Sequence, residues 1–266
     1  RILHTGTVAA YSGITAIPLY TGGLMEKANN RTILVTGASS GIGEATSASL
    51  LGHGYRVIGM ARDFSKVRFD SEQFRAVPID LSRLDELPAR LETLMKDEPA
   101  IDGVVCCAGS GRFGSLEEFS YPQISSLLDL NLTSHIYLVR ALLPGMKKRT
   151  AGDIIFMGSE SARSGGKRGA VYSAAKFGLR GLAQSLRHEC AASGIRVSIV
   201  NPGMVKTAFF DELDFQHGDE PDNYIMPEDI ASAVLTIIEA RAGTVFDEIN
   251  LSPQKKVVRS PKPGNR

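Results

Sequence analysis

The sequence predicts a single-domain α/β protein built around a doubly wound parallel sheet. From Thr32 onward, short β-branched runs alternate with longer helix-like segments, and the runs lack a polar alternation. Strands of this kind are buried on both faces, as in a parallel sheet that helices cover on each side. Right-handed crossovers would connect them. The 266 residues, 43% of them hydrophobic, suit one domain with a substantial core.

The predicted elements follow in βα order, with no internal repeat and no linker that would divide the chain. Strands are predicted over 32–36, 55–60, 74–79, 101–106, 153–157 and 196–200, helices over 41–51, 84–95, 124–146 and 171–190, and segments 227–240 and 245–251 complete the series.

Both ends of the chain are expected to lie outside this domain, which we place at 25–251. Between Ile2 and Met25 there is no Asp, Glu, Lys or Arg and no useful periodicity. Residues 1–24 are therefore predicted to be an N-terminal extension outside the fold, the alternative being an arm that packs on a neighbouring subunit. Residues 252–266 are predicted to form a loose C-terminal tail.

Charge and cysteine content exclude several classes of protein. Lys and Arg number 30 against 29 Asp and Glu, so the net charge of +1 argues against a nucleic-acid binder. Three cysteines, two of them adjacent, are too few for a disulfide framework and favour a reducing compartment, the cytoplasm. No apolar run is long enough to span a membrane, and we predict no metal site.

A glycine-rich turn follows the first predicted strand, in the sequence Thr36-Gly-Ala-Ser-Ser-Gly-Ile-Gly43. Glycines let a backbone approach a pyrophosphate, and the N-terminus of the next helix supplies free N–H groups and a favourable dipole. The alternative is a structural Gly-rich turn. The predicted phosphate-binding residues are Gly37, Ser39, Ser40, Gly41, Ile42 and Gly43.

A second group of residues suggests acid–base chemistry. Tyr172 and Lys176 lie four residues apart on a predicted helix and therefore share a face. Ser159 follows a buried strand, where parallel sheets present ligand-binding residues. Asn131 lies inside a long predicted helix, where Asn is an indifferent helix former. The alternative is a Tyr and a Lys on a helix surface with a solvated Asn.

Taken together, these motifs resemble the short-chain dehydrogenase/reductases. The matching residues, in order, are Thr36-Gly-x-x-x-Gly-Ile-Gly43, Asp80-Leu81, Ala108-Gly109, Asn131, Ser159, Tyr172-x-x-x-Lys176 and Asn201-Pro-Gly203. The resemblance covers about residues 31–251. It implies a Rossmann fold and an oxidoreductase that transfers a hydride with a nicotinamide cofactor, which makes 25–251 the catalytic domain.

The resemblance also implies a role for each catalytic residue. Tyr172 would give its phenolic proton to a substrate carbonyl and take it back in the reverse reaction, with its pKa lowered by Lys176. Lys176 would also hold the nicotinamide ribose. Ser159 would orient the carbonyl, and Asn131 would hold a water in a proton relay. Further cofactor contacts are expected from Asp80, Leu81, Ala108, Gly109, Pro202, Gly203 and Thr207.

The chain departs from the family where Cys106-Cys-Ala-Gly109 replaces the usual Asn-Asn-Ala-Gly. Thiols are weak hydrogen-bonding groups, so the side-chain support of this loop is in doubt. We interpret the two cysteines as small buried hydrophobic residues rather than redox groups.

Cofactor choice is predicted from the end of the second strand. NAD-preferring relatives carry an acid at the position of Ala61, whereas here Arg62 follows and suits a 2′-phosphate. Asp63 would pair with Arg62 or, with a shift of one residue, be that acid. We predict NADP(H).

Substrate and assembly are less clearly encoded. The insertion over 207–226, with four aromatic residues, is expected to form a lid over an apolar pocket. Arg112, Arg163 and Arg168 are candidates to hold a carboxylate. Segment 246–254 weakly resembles NADP-dependent 3-hydroxy acid dehydrogenases and carbonyl reductases.

The expected activity is reduction of a ketone or aldehyde, or oxidation of the matching alcohol or 3-hydroxy acid. A catalytically idle NADP(H)-binding sensor or scaffold is the alternative. Apolar residues on the helices over 124–146 and 171–190 predict a homodimer or homotetramer. They include Leu127, Leu128, Leu138, Val139, Leu179, Leu182 and Leu186.

Overall fold

The structure is a computed structural model of the chain and describes residues 31–67 and 69–260. The predicted extension over 1–24 lies outside these residues. The strands are β1 (Thr32–Thr36), β2 (Arg56–Ala61), β3 (Phe74–Pro78), β4 (Gly103–Cys106), β5 (Gly152–Met157), β6 (Ile195–Pro202), β7 (Gln216–His217), β8 (Glu248–Leu251) and β9 (Val258–Arg259). The helices are α1 (Gly41–Gly52), α2 (Leu87–Asp97), α3 (Tyr121–Leu128), α4 (Ser134–Arg149), α5 (Ala170–Cys190) and α6 (Pro227–Glu239).

Seven strands form one parallel sheet in the order β3-β2-β1-β4-β5-β6-β8. Successive residues of the central strands belong to opposite cores. Leu34 packs with α2, α4 and α5, whereas Ile33 and Val35 pack with α1 and α6. The predicted doubly wound α/β fold is therefore confirmed. The strand order reverses between β1 and β4, and this switch point opens a crevice at the carboxyl ends of the strands.

The long helix predicted over 124–146 is interrupted. A π-helical segment, Asp129–Thr133, separates α3 from α4 and carries Asn131. The Asn131 side chain donates one hydrogen bond to the carbonyl of Leu127 (2.9 Å) and another to that of Ser110 (3.0 Å). This bonding accompanies a local widening of the helix, a feature common at functional sites. Helical periodicity alone could not predict the interruption.

The prediction of a loose tail was wrong for residues 252–260, which we call the C-terminal strap. Its strand β9 pairs antiparallel with β7 of the 207–226 insertion. Three basic side chains of the strap meet acids on the body of the protein: Lys255 with Asp222 (2.7 Å), Lys256 with Glu160 (2.7 Å) and Arg259 with Asp219 (2.5 Å). Composition suggested disorder because these partners are remote in sequence.

Membrane insertion finds no support in this part of the chain. Across residues 31–67 and 69–260, no helix is both long enough and apolar enough to cross a bilayer.

Candidate active site

A cleft of about 710 Å³ lies at the carboxyl ends of β1, β4, β5 and β6. Fourteen of the predicted site residues line it: Gly37, Ser40, Gly41, Ile42, Gly43, Ala108, Gly109, Asn131, Ser159, Tyr172, Lys176, Pro202, Gly203 and Thr207. Ser39, Arg62, Asp80 and Leu81 do not line it. Ser39 belongs to the same turn, and the other three follow β2 and β3 at the neighbouring edge of the sheet.

The glycine-rich turn is built by close backbone packing. A Cβ on Gly43 would lie 2.2 Å from the carbonyl oxygen of Gly37, and Gly37 itself has a φ of +66°. No other residue fits at Gly43 without moving the turn. Ser40 caps α1 in extended conformation, and its side chain makes no capping hydrogen bond to the helix. Its hydroxyl and the first N–H groups of α1 therefore remain for an anionic ligand.

The loop after β4 is held from both sides. The Ala108 N–H donates to the Thr36 hydroxyl (3.0 Å), and the Ala108 carbonyl lies 2.9 Å from Nε2 of His135. Cys106 is fully buried, and burial raises the pKa of Cys107 to about 12. Sequence reasoning missed His135 because a single His on an apolar helix carries no specific signal.

Tyr172 and Lys176 share the face of α5 that borders the cleft, and both are buried. The Lys176 ammonium lies 5.7 Å from the centre of the Tyr172 ring and donates to the carbonyl of Met157 (3.0 Å). Burial lowers the pKa of Lys176 to about 8. Burial likewise raises the pKa of Tyr172 to about 12; nearby Ser159 acts to lower it, and the charge of Glu160 raises it further.

The expected lowering of the Tyr172 pKa by Lys176 is therefore absent from this structure, because burial outweighs the other influences on the phenol. Tyr172 is a neutral phenol at neutral pH. This is the protonation state that donates a proton to a carbonyl oxygen.

Asn131 presents an unfilled acceptor to the same region. It is fully buried, and its Oδ1 has no hydrogen-bond partner within the described residues. A Cβ on Gly109 would lie 2.7 Å from this Oδ1 and 3.7 Å from Nζ of Lys176. The oxygen therefore borders the space beside Lys176, where a water or ligand donor would satisfy it. Ser159 accepts a hydrogen bond from the Ser161 N–H (3.1 Å).

Aromatic rings form the opposite wall of the cleft. Phe113 packs against Tyr172 (5.1 Å between ring centres) and against Phe215 (4.9 Å). Phe209 contacts Tyr172 (6.1 Å) and Phe210 (5.2 Å). Three of these phenylalanines belong to the predicted lid, whereas Phe113 follows β4 and was missed. A bulky ring between Gly111 and Gly114 was the available signal.

The strap also reaches the cleft, which Lys256 and Val258 line. Of the three arginines named as carboxylate candidates, Arg168 lines the cleft, with a left-handed φ of +61°. Arg163 lies 3.7 Å from the carboxylate of Glu248, and Arg112 is not part of the lining.

Charged groups beyond β2 and β3 bear on the cofactor prediction. Both carboxylate oxygens of Asp63 accept hydrogen bonds from Ser65, its N–H (2.8 Å) and its hydroxyl (2.6 Å). Asp63 therefore closes a local turn. Arg62 is exposed, and no hydrogen bond or ion pair to it is found between residues 31 and 260 apart from the undescribed Arg68. Burial opposes the ionisation of Asp80, but hydrogen bonds from Ser82 and the charge of Arg62 hold its pKa below the usual range.

The residues present fit a dinucleotide cofactor. The glycine turn leaves space that a Cβ would fill, Ser40 and the α1 N-terminus offer donors, and Arg62 is an available guanidinium. The orphaned Oδ1 of Asn131 and the buried Lys176 lie at the other end of the cleft. The site thus combines a phosphate cradle with a buried proton donor.

Comparison with known proteins supports the same assignment. The family model for short chain dehydrogenase matches residues 31–217. An uncharacterised oxidoreductase of Staphylococcus haemolyticus is 29% identical over 234 residues, covering 86% of this chain and 100% of the relative. The 3-oxoacyl-acyl-carrier-protein reductase of Buchnera aphidicola is 31% identical over 228 residues, covering 82% and 93%.

Solved structures are similar over the same range. A metagenomic short-chain oxidoreductase in complex with NADP superposes with a TM-score of 0.72 at 29% identity, covering 85% of this chain and 98% of that one. The family match spans the glycine turn, Asn131, Ser159 and the Tyr172–Lys176 pair that together line the cleft. The chain therefore belongs to the short-chain dehydrogenase family of oxidoreductases.

Proposed function

We propose that this protein is an NADP(H)-dependent oxidoreductase. It reduces a ketone or aldehyde, or oxidises the matching secondary alcohol or 3-hydroxy acid, with Tyr172 as the acid–base group. The observation that carries the proposal is the buried, neutral phenol of Tyr172, which lies in the cleft with Ser159, Lys176 and an unsatisfied Asn131. The NADP-bound relative of 29% identity adds support.

The cofactor would be held by groups along the carboxyl edge of the sheet. The glycine turn, with Ser39, Ser40 and Ile42, would cradle the pyrophosphate at the α1 N-terminus. Arg62 would bind the 2′-phosphate, for which Asp63 does not compete because Ser65 engages both its oxygens. The remaining contacts would come from Asp80, Leu81, Ala108, Gly109, Lys176, Pro202, Gly203 and Thr207.

The catalytic side chains would then move a single proton. The bound nicotinamide supplies a hydride to the carbonyl carbon. Tyr172 gives its phenolic proton to the carbonyl oxygen, which completes the alcohol, and in the reverse direction the phenolate takes that proton back. Ser159 donates a hydrogen bond that orients the carbonyl. Oδ1 of Asn131 accepts from a water beside Lys176, which would return a proton to Tyr172.

The substrate would carry an apolar group next to its carbonyl. Phe113 and Phe209 contact Tyr172 directly, so any carbonyl compound that reaches the phenol must pass against their rings. Aromatic faces favour flat or bulky apolar groups. The Buchnera relative is named for a 3-oxoacyl substrate, which also places a ketone beside a hydrocarbon chain.

We also propose that the protein works as a homodimer or homotetramer through α4 and α5. Leu127, Leu138 and Leu179, which we expected to contribute to the interface, are buried within the chain itself. A neighbouring groove of about 450 Å³ remains, lined by apolar residues that include Ile136, Leu143 and Leu182. Light scattering at micromolar concentration tests this, and a strictly monomeric mass contradicts it.

The decisive experiment separates binding from turnover. NADPH and NADH are titrated against the protein by fluorescence, and NADPH oxidation is then followed with aryl ketones, aldehydes and 3-oxo acids. We expect tighter binding of NADPH and turnover with apolar carbonyl compounds. NADPH binding without turnover of any compound would favour the idle sensor or scaffold, and failure to bind either cofactor would overturn both proposals.

A further inference from the structure

His135 is a buried titratable residue to which the proposed chemistry gives no role. It lies in the first turn of α4 and is fully buried. Burial, together with the charge of Lys176, lowers the pKa of His135 to about 3, so the imidazole is neutral at working pH. Its Nε2 lies 2.9 Å from the carbonyl oxygen of Ala108, whereas Nδ1 has no partner among the described residues.

This geometry fixes the tautomer. A carbonyl oxygen only accepts, so the single N–H of the neutral ring is on Nε2 and donates to Ala108. The unprotonated Nδ1 remains an unfilled acceptor. His135 is thus fixed by one directed hydrogen bond, and the carbonyl of Ala108 depends on that bond.

Ala108 occupies a central position in the proposed cofactor site. Its backbone lies 3.1 Å from where a Cβ of Gly37 would stand, so the loop after β4 touches the phosphate-binding turn. On the other side, Gly109 packs against Asn131 and close to Lys176. A displacement of this loop would therefore disturb the phosphate cradle and the ribose-binding lysine together.

The loop has little support from its own side chains. Cys106 and Cys107 precede Ala108, and thiols are weak donors and weak acceptors. The strong hydrogen bonds come from outside the loop instead, from the Thr36 hydroxyl to the Ala108 N–H and from His135 to the Ala108 carbonyl. Of these two, the bond from His135 is the only one supplied by α4.

We infer that His135 is a positioning residue for cofactor binding, which holds the Ala108–Gly109 backbone against the glycine turn through its Nε2–H. This inference rests on the proposed NADP(H) site. It implies that loss of the imidazole weakens cofactor affinity, while the catalytic step on bound substrate changes little.

The test uses two substitutions at one position and a matched control. His135→Gln keeps an N–H donor at nearly the same reach, whereas His135→Leu keeps the bulk and removes the donor. Leu138→Ala, on the same helix and equally buried, destabilises the core without touching the loop. If His135→Leu fails to fold, Thr36→Val removes the other anchor of Ala108 and takes its place beside His135→Gln.

Two measurements are made on each variant. Hydrogen–deuterium exchange over residues 105–111 without cofactor reports the loop directly, and fluorescence titration gives the dissociation constant for NADPH. His135→Leu should exchange faster in this segment and weaken NADPH by roughly 10-fold or more, since it leaves a buried carbonyl without a donor. kcat at saturating NADPH should change less than about 3-fold. His135→Gln should restore both, and Leu138→Ala should lower Tm alone.

The outcomes separate this inference from the proposed function. Unchanged exchange and unchanged NADPH affinity in His135→Leu would overturn the positioning role. So would an equal loss of affinity in Leu138→Ala, since that would indicate general destabilisation. If the unsubstituted protein fails to bind NADPH, the proposed function is wrong, while the exchange measurement still decides whether His135 anchors the loop.

Discussion

The two halves of the cleft are built by different means. The phosphate-binding half consists of backbone packed on backbone: Gly43 on Gly37, and Ala108 held between Thr36 and His135. The half beyond Tyr172 consists of side chains from irregular segments, Phe113, the 207–226 insertion and the strap. Backbone packing tolerates almost no variation, whereas ring contacts rearrange at small cost. The first half is therefore expected to be rigid and the second adaptable.

The contacts that hold each half support this difference. A Cβ at Gly43 would overlap the Gly37 carbonyl, so the turn is fixed by exclusion. The strap is attached by a two-residue ladder and by ion pairs between largely exposed groups. Such pairs contribute about 0–1 kcal/mol each and weaken with salt. The substrate half is thus where closing and opening of the cleft is expected.

The largest effect is expected at the boundary of the two halves. Tyr172→Phe removes the phenolic proton but keeps the ring that packs on Phe113 and Phe209. Turnover should fall by at least ~10²- to 10⁴-fold, the range for a positioned general acid, with NADPH affinity and fold largely intact. Steady-state kinetics with the best substrate of the panel measures this. A variant that keeps most of its activity would show that Tyr172 is not the acid.

A substitution confined to the cofactor half should change affinity for one cofactor only. Arg62→Ala should weaken NADPH by roughly 10- to 150-fold, since a charge-assisted bond to a phosphate contributes ~1.5–3 kcal/mol. NADH should be nearly unaffected. The comparison is kcat/KM for both cofactors, with the exposed Arg241→Ala as control. Equal losses for both cofactors would mean that Arg62 does not read the 2′-phosphate.

The pH dependence of stability tests the burial of Lys176. Its pKa is about 8 in the fold against an ordinary 10.5, so between these values the unfolded chain holds a proton that the folded chain releases. This group therefore makes the free energy of unfolding rise with pH, by at most ~1.4 kcal/mol per unit. That contribution is complete above about pH 10.5 and is lost as the pH falls to about 8.

The matched comparison is Lys176→Met by urea unfolding from pH 7 to 10. The buried thiols of Cys106 and Cys107, whose pKa values burial raises, act in the opposite sense, so only the difference between the two proteins is informative. Lys176→Met should be the more stable protein at pH 7, and its advantage should shrink above pH 8. Parallel stability curves would contradict the buried-charge interpretation.

The smallest effect is expected in the adaptable half. Truncation after Leu251 removes Val258, which is 55% exposed, so the lost contact is worth only part of a fully buried Val at ~1.5 kcal/mol or more. KM for an apolar substrate should rise by roughly 3- to 5-fold, with the NADPH dissociation constant unchanged. A weakened cofactor instead of a weakened substrate would show that the strap supports both halves.

The sequence by itself determined the sheet and the rigid half of the site. The unbroken apolar strands and the spacing Gly37, Gly41, Gly43 follow from burial on two faces and from close backbone approach, both of which are local rules. Fourteen predicted site residues consequently line one cleft. The interruption at Asn131 was beyond this reasoning because it depends on the carbonyl of Ser110, 21 residues away.

Only the tertiary structure decided the rest. The carbonyl that His135 meets belongs to Ala108, 27 residues earlier, and β9 pairs with a strand about 40 residues before it. The pKa of Tyr172 likewise depends on burial in the assembled cleft, which outweighs its neighbours in the sequence. Each of these features needs a partner or an environment that exists only after the chain has folded. Side-chain pattern predicts what a residue buries, whereas its hydrogen-bond partner is set by which backbone the fold brings within 3 Å.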